Sequence, residues 1–139
     1  MKLVIGAAAS GKLTYVRSLG YTDDQMANAL LDNSPVIYNL QDLVATLFTE
    51  EEDDDKDGLT PAESNTKQIL DNRERALSFL EPLLSKEVVV CDEVGAGVIP
   101  GNRPERETRE ATGRLCNRLA QHADSVVRLI AGIPQVIKG

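Results

Sequence analysis

Residues 2–12 read KLVIGAAASGK: a short apolar run closed by Gly6, four small residues, then Gly11 and Lys12. An apolar run ending in glycine has the pattern of a buried parallel strand. Small residues after such a strand let backbone N–H groups curve around phosphate oxygens. Gly6, Ala7, Ala8, Ala9, Ser10 and Gly11 would form that cradle. The start of the next helix adds partial positive charge, and Lys12 reaches the terminal phosphates of a nucleoside triphosphate. The pattern departs at Leu13, where Ser or Thr would normally supply a magnesium ligand. Thr14 points about 100° further round the helix and does not replace it. Water can take the vacant position, because magnesium usually keeps several waters. The competing reading is an Ala/Gly-rich turn that holds no ligand.

Beyond Lys12 the chain alternates between helix and strand patterns. LTYVRSL is a short helix stopping at Gly20, and TDDQMANALL opens a second with Thr22 as N-cap and acids in its first turn. PVIYN (Pro35–Asn39) is a strand, with a helical LQDLVATLF after it. Thr60, Pro61 and Glu63 then form a capping-box start for a long helix, with Ile69, Leu70, Leu77, Leu80, Leu83 and Leu84 at helical spacing. EVVVCDE (Glu87–Glu93) is the clearest buried strand, Pro104–His122 an Arg-rich helix, and SVVRLIAG and QVIK the last strands, separated by a turn at Gly132 and Pro134. Alternation of this kind predicts one α/β layered domain over residues 1–139 with a mostly parallel central sheet.

The acidic end of the EVVVCDE strand completes a candidate site. Asp92 would hold magnesium, directly or through water, and Glu93 would orient or deprotonate an attacking hydroxyl. An acidic strand end with no such role is the bland alternative.

Composition narrows the partners. The net charge of -7 is concentrated in Glu50–Asp57, seven acids and one lysine, so the remainder is close to neutral. With no Trp and few aromatics, the chain offers no stacking platform, and nucleic acid is not expected. Cys91 and Cys116 form no CxxC or Cys/His cluster, which argues against zinc and against a disulfide scaffold. No apolar run reaches membrane-spanning length, and MKLVIG is too short for a signal-peptide core, so a cytoplasmic protein without a membrane partner is expected.

From Cys91 to Lys138 the sequence resembles the C-terminal half of the bifunctional adenosylcobinamide kinase / adenosylcobinamide-phosphate guanylyltransferase family. Glu93, Val94, Gly95, Gly97 and Pro100 match its NEVG-G-VP segment. Arg109 and Gly113 match its Arg-rich helix, with Glu110 in place of Asp and Cys116 in place of Asn. Ala123, Asp124, Val126, Gly132, Pro134 and Lys138 match its last segment, and GAAASGK matches its phosphate loop except at Leu13. The resemblance implies a three-layer P-loop NTPase-like fold that binds ATP or GTP with Mg2+. It implies a kinase that transfers the γ-phosphate to a hydroxyl of a cobinamide-type small molecule, with Arg109 as a candidate phosphate contact. Assembly into a homo-oligomer is left open. Asn39 stands where the family has Asp at a strand end, and Asp92 stands where it has Asn. The family's GMP-accepting histidine belongs to a segment that is shortened here, so guanylyl transfer is not implied. An inactive nucleotide-binding or partner-binding relative is the rival reading, favoured by Leu13 and Asn39.

Two features have bland explanations beside sharper ones. Asp53, Asp55 and Asp57 before Gly58 look like the opening of a calcium loop, but Ser64 stands where the closing acid belongs. A solvated acidic loop at about 49–59 is the simpler reading. Arg103, Arg106, Arg109, Arg114 and Arg118 suggest a basic helix face balanced by Glu105, Glu107 and Glu110. His122 is a helix-end residue.

Overall fold

The structure, a computed structural model, describes residues 1–48, 61–93 and 102–139. The acidic loop, with Asp53, Asp55, Asp57 and the Thr60 cap, lies outside those residues, as does most of the NEVG-type segment. Six strands form one sheet: β1 (Lys2–Gly6), β2 (Met26–Asn28), β3 (Val36–Tyr38), β4 (Val88–Asp92), β5 (Ser125–Ile130) and β6 (Ile133–Lys138). Their order is β2-β3-β4-β1-β5-β6, with every pairing parallel except β5 with β6. β1 and β4 sit at the centre because both faces of each are apolar, as KLVI and VVVC require.

Alternate residues feed two cores. Leu3, Val89, Cys91 and Val126 face one side of the sheet. There they meet α2 (Leu40–Ala45), α3 (Pro61–Leu77), α4 (Leu80–Leu84) and α5 (Arg103–His122). Val4, Val88, Val90, Val127 and Leu129 face the other side, covered by Val16 of α1 (Lys12–Ser18) with Tyr15, Tyr21 and Tyr38 packed around it. Helices on both faces of a mostly parallel sheet are the three-layer arrangement expected.

Helix α5 is placed by its pattern. Ala111, Leu115 and Leu119 recur every four residues and are buried. Asn102 caps the helix by accepting the Glu105 N–H at 2.9 Å. At its far end Lys138 Nζ donates to the Ala120 and Gln121 carbonyls, both at 3.0 Å. The acids of the arginine face pair both within the helix and across to α3. Arg114 pairs with Glu110 at 2.9 Å, whereas Glu107 reaches across to Arg73 of α3 at 2.7 Å.

Two expectations are corrected. TDDQMANALL does not form a helix: a single 3-10 turn at Asp23–Gln25 passes directly into β2. The cap chemistry is present, with Gln25 Oε1 accepting the Thr22 N–H at 2.9 Å. Beyond that turn, pairing of Met26–Asn28 with Val36–Tyr38 replaces intrahelical bonds. The long helix from Pro61 also buries other residues than its leucines suggest. Leu70 and Leu77 are exposed, while Asn72 and Ala76 face the core and Asn72 Nδ2 donates to the Leu47 carbonyl at 2.5 Å.

Candidate functional site

The site is built where β1, β3 and β4 end. Gly6 closes β1 opposite Asp92, and the Glu93 N–H donates to the Gly6 carbonyl at 2.8 Å. Only glycine fits at position 6. A Cβ there would lie 2.5 Å from Ser10 Oγ and 2.8 Å from the Leu129 carbonyl oxygen. The chain then turns through Ala9 (φ 57) and Gly11 (φ 91) into α1. Small residues are needed because the turn folds back on itself, with the Ser10 N–H donating to the Ala7 carbonyl at 3.2 Å. The β5–β6 hairpin braces it from outside. Ala131 and Gly132 both have positive φ, as a two-residue primed turn requires. The Gly132 N–H donates to the Ser10 carbonyl at 2.9 Å.

Lys12 is the hub. Its side chain is only 8% exposed, and its ammonium holds the Ala7 carbonyl at 2.6 Å and Asp92 Oδ1 at 2.8 Å. The lysine thus ties the loop to the end of β4. A cavity of about 390 Å³ opens beside this pair, within the range of small-ligand sites. Ala8, Ala9, Ser10, Gly11, Lys12, Leu13 and Thr14 line one side of it, and Tyr38, Asn39, Val90 and Asp92 line the other. Ser10 Oγ is buried with no hydrogen-bond partner, which leaves an unsatisfied hydroxyl inside the loop.

Of the residues expected from sequence, the structure brings Ala8 to Leu13 and Asp92 together around one cavity, with Gly6 beneath it. Glu93 is not among the lining residues of this cavity. Asp92 continues the face of Val90, whereas Glu93 continues the alternation of Val89 and Cys91. Both Glu93 oxygens are held by Arg128 of β5, at 2.5 Å from Nε and 3.1 Å from Nη2. Hydrogen bonding to Glu93, and then its charge, holds the Arg128 guanidinium above its ordinary pKa. Arg109 stands half-buried on α5 and also does not line this cavity.

Sequence reasoning missed Tyr38 and Gln41. Tyr38 lines the cavity, and Gln41 Oε1 accepts the Asp92 N–H at 3.1 Å. The only signal was their place at or just after a strand end, where such ligands gather. Behind Asp92, hydrogen bonding with Cys116 and then burial push the Cys91 thiol well above the usual range. Among the described residues no group of His, Cys, Asp and Glu forms a metal cluster, and no helix is long and apolar enough to cross a membrane.

Two curated proteins share a local stretch with the chain. The bifunctional adenosylcobalamin biosynthesis protein CobU of Salmonella typhimurium is 44% identical over 54 residues, covering 39% of this chain and 30% of that protein. Its namesake from Escherichia coli is 39% identical over 54 residues, with coverage again of 39% and 30%. The matched stretch therefore spans less than a third of either relative. A profile of the family described as cobinamide kinase / cobinamide phosphate guanyltransferase matches residues 16–137. That match begins after the loop at Gly6–Leu13, so the loop stands on its own geometry. Residues 16–137 make up most of the chain, and the chain belongs to the cobinamide kinase / cobinamide phosphate guanyltransferase family.

Proposed function

We propose that the chain binds ATP or GTP with Mg2+ in the cavity over Gly6–Leu13 and transfers the γ-phosphate to a hydroxyl of a cobinamide-type acceptor. The observation that carries this reading is the Lys12–Asp92 pair, which sets an ammonium and a carboxylate side by side in a cavity walled by backbone of the loop. Backbone N–H groups and Lys12 supply positive potential for the phosphates, and the orphaned Ser10 hydroxyl adds a donor. Lys12 is already positioned by the Ala7 carbonyl and Asp92, so little reorganisation is needed when a phosphate oxygen takes its remaining hydrogen.

The donor set fits a hard cation through one carboxylate. Asp92 would hold magnesium, with water in the place that Leu13 leaves. The metal supplies neutralisation of the charge that develops on the phosphates. The chain's own residues do the rest: the loop orients the nucleotide, Lys12 stabilises the transferring group, and Asn39 and Tyr38 bound the side from which an acceptor enters. Glu93 takes a supporting role in this reading, fixing Arg128 and the hairpin behind the loop. Family membership supports the acceptor class and a cytoplasmic place of work. Guanylyl transfer is not part of the proposal.

One observation favours a second reading, in which the chain binds nucleotide without turning it over: the side chain at position 13 in the cavity wall is leucine, with no hydroxyl to offer. Calorimetric titration of ATP and GTP, with and without magnesium, tests binding. A phosphate-transfer assay on cobinamide then separates the two readings. Saturable binding with transfer supports the kinase, binding without transfer supports the inactive relative, and absence of binding sinks both.

A further inference from the structure

A file of carboxamides runs outward from the cavity along the ends of β4, β3 and β2. The Asp92 backbone N–H donates to Gln41 Oε1 at 3.1 Å. Gln41 Nε2 donates to Asn39 Oδ1 at 3.5 Å, and Asn39 Nδ2 donates to Asn28 Oδ1 at 2.9 Å. The inner end fixes the direction of the whole file. A backbone N–H can only donate, so Gln41 must turn its oxygen to Asp92 and its amino group to Asn39. Asn39 must then turn its amino group to Asn28. The last group in the file is therefore the Asn28 amino group, a pair of N–H donors at an exposed strand end. Accepting from Asn39 polarises the Asn28 amide, which strengthens its outward N–H donors.

The backbone agrees with this arrangement. Asn39 has φ 56, a left-handed conformation that asparagine tolerates better than most residues, and this holds its amide at the cavity wall beside Tyr38. Asn28 lies one hydrogen bond further out, on the side away from the phosphate loop. A phosphoryl acceptor lying across the strand ends, with its hydroxyl toward Asp92, would meet it next.

We propose that Asn28 is a specificity-determining residue that donates a hydrogen bond to a carboxamide carbonyl on the phosphoryl acceptor. This rests on the kinase reading above and deepens it. A carbonyl oxygen only accepts, so it is matched by the outward N–H donors of Asn28 and mismatched by any acceptor-only group in their place. Asn28→Asp is therefore the informative change. Its shape is the same and it still accepts from Asn39, but the outward group becomes a carboxylate that repels a carbonyl.

The test uses the full chain and cobinamide, with binding followed by visible absorbance in the presence of ATP and magnesium. Asn28→Asp is expected to weaken cobinamide binding by about tenfold or more, and Asn28→Ala by a few-fold, because one hydrogen bond is lost and in the first case replaced by repulsion. ATP affinity stays within about twofold in both, which also verifies folding at this exposed position. If the parent binds cobinamide and both variants bind it equally well, the assignment of Asn28 is overturned and the kinase reading stands. If the parent binds ATP but not cobinamide, the acceptor reading fails and the Asn28 assignment fails with it.

Discussion

Asp92 and Glu93 are neighbours in sequence, both acidic and each paired to a cation, yet the two pairs occupy different surroundings. Lys12 and Asp92 are 8% and 29% exposed, lie on the face covered by α1, and border the cavity. Arg128 and Glu93 are 43% and 21% exposed and bridge β5 to the end of β4. Alternation along a strand sends successive side chains to opposite faces, so one residue step separates a candidate chemical pair from a brace. The cation chemistry agrees with this division. A guanidinium set against both carboxylate oxygens, with one hydrogen bond from Nη2, is suited to holding geometry, whereas the lysine ammonium keeps one hydrogen for a phosphate oxygen.

Deleting each cation in turn tests the division most directly. Lys12→Ala removes a charge-assisted phosphate contact and should weaken nucleoside triphosphate binding by about tenfold to a hundredfold, or roughly 1.5–3 kcal/mol. Arg128→Ala should leave that affinity within about twofold, because the arginine holds Glu93 and does not itself line the cavity. Calorimetric titration of both variants decides the matter. Equal losses would mean that the two pairs form one unit.

A change at Gly6 probes the cavity side through stability. In Gly6→Ala the added Cβ meets Ser10 Oγ at 2.5 Å and the Leu129 carbonyl at 2.8 Å, with backbone on one side unable to yield. A loss of about 1–3 kcal/mol in denaturant unfolding is expected, together with weaker nucleotide binding as the loop shifts. Full stability in this variant would show that the turn is looser than its contacts.

The central pieces of the fold are legible in the sequence. Lys2–Ile5, Val88–Cys91 and Ser125–Ile130 are apolar runs that only a sheet core explains, and the loop residues come after β1 as the spacing requires. Met26–Asn28 is not legible. A strand of three residues has too few to show a period, and the Thr22–Gln25 cap signal is that of a helix start. Long-range pairing to β3 decides the outcome there. Asp92 stands out as a candidate because it ends the clearest strand, and the structure sets it in the cavity wall beside Lys12. The same logic places Glu93 beside it, since a motif specifies position along the chain and says little about which face is used. The partnership with Arg128, 35 residues away, has no local signature.

Leu13 offers a smaller test on the cavity side. Leu13→Ser returns a hydroxyl at the first turn of α1 and should enlarge the effect of magnesium on nucleotide affinity by about threefold, the order of one modest metal–oxygen contact exchanged for water. The parent should show the weaker metal dependence. If magnesium changes affinity no more in the variant than in the parent, position 13 does not face the metal.

The smallest expected effect lies at the opposite edge of the sheet. Covalent guanylyl transfer would need a nucleophile placed to attack the α-phosphorus while pyrophosphate leaves. His122 is the only histidine, and it is the last residue of α5. Ser125, three residues on, pairs with Lys2 at the start of β1, whereas the loop begins at Gly6, which pairs with Leu129. Four residue steps of strand, about 13 Å, therefore separate the two edges before any side chain is counted. An imidazole at the amino edge cannot reach a phosphate held at the carboxyl edge. Incubation with GTP and magnesium should produce no GMP-sized mass increase, and His122→Ala should leave both nucleotide affinity and phosphate transfer unchanged. An adduct that forms in the parent and vanishes in His122→Ala would overturn this division of the sheet into a working edge and a supporting one.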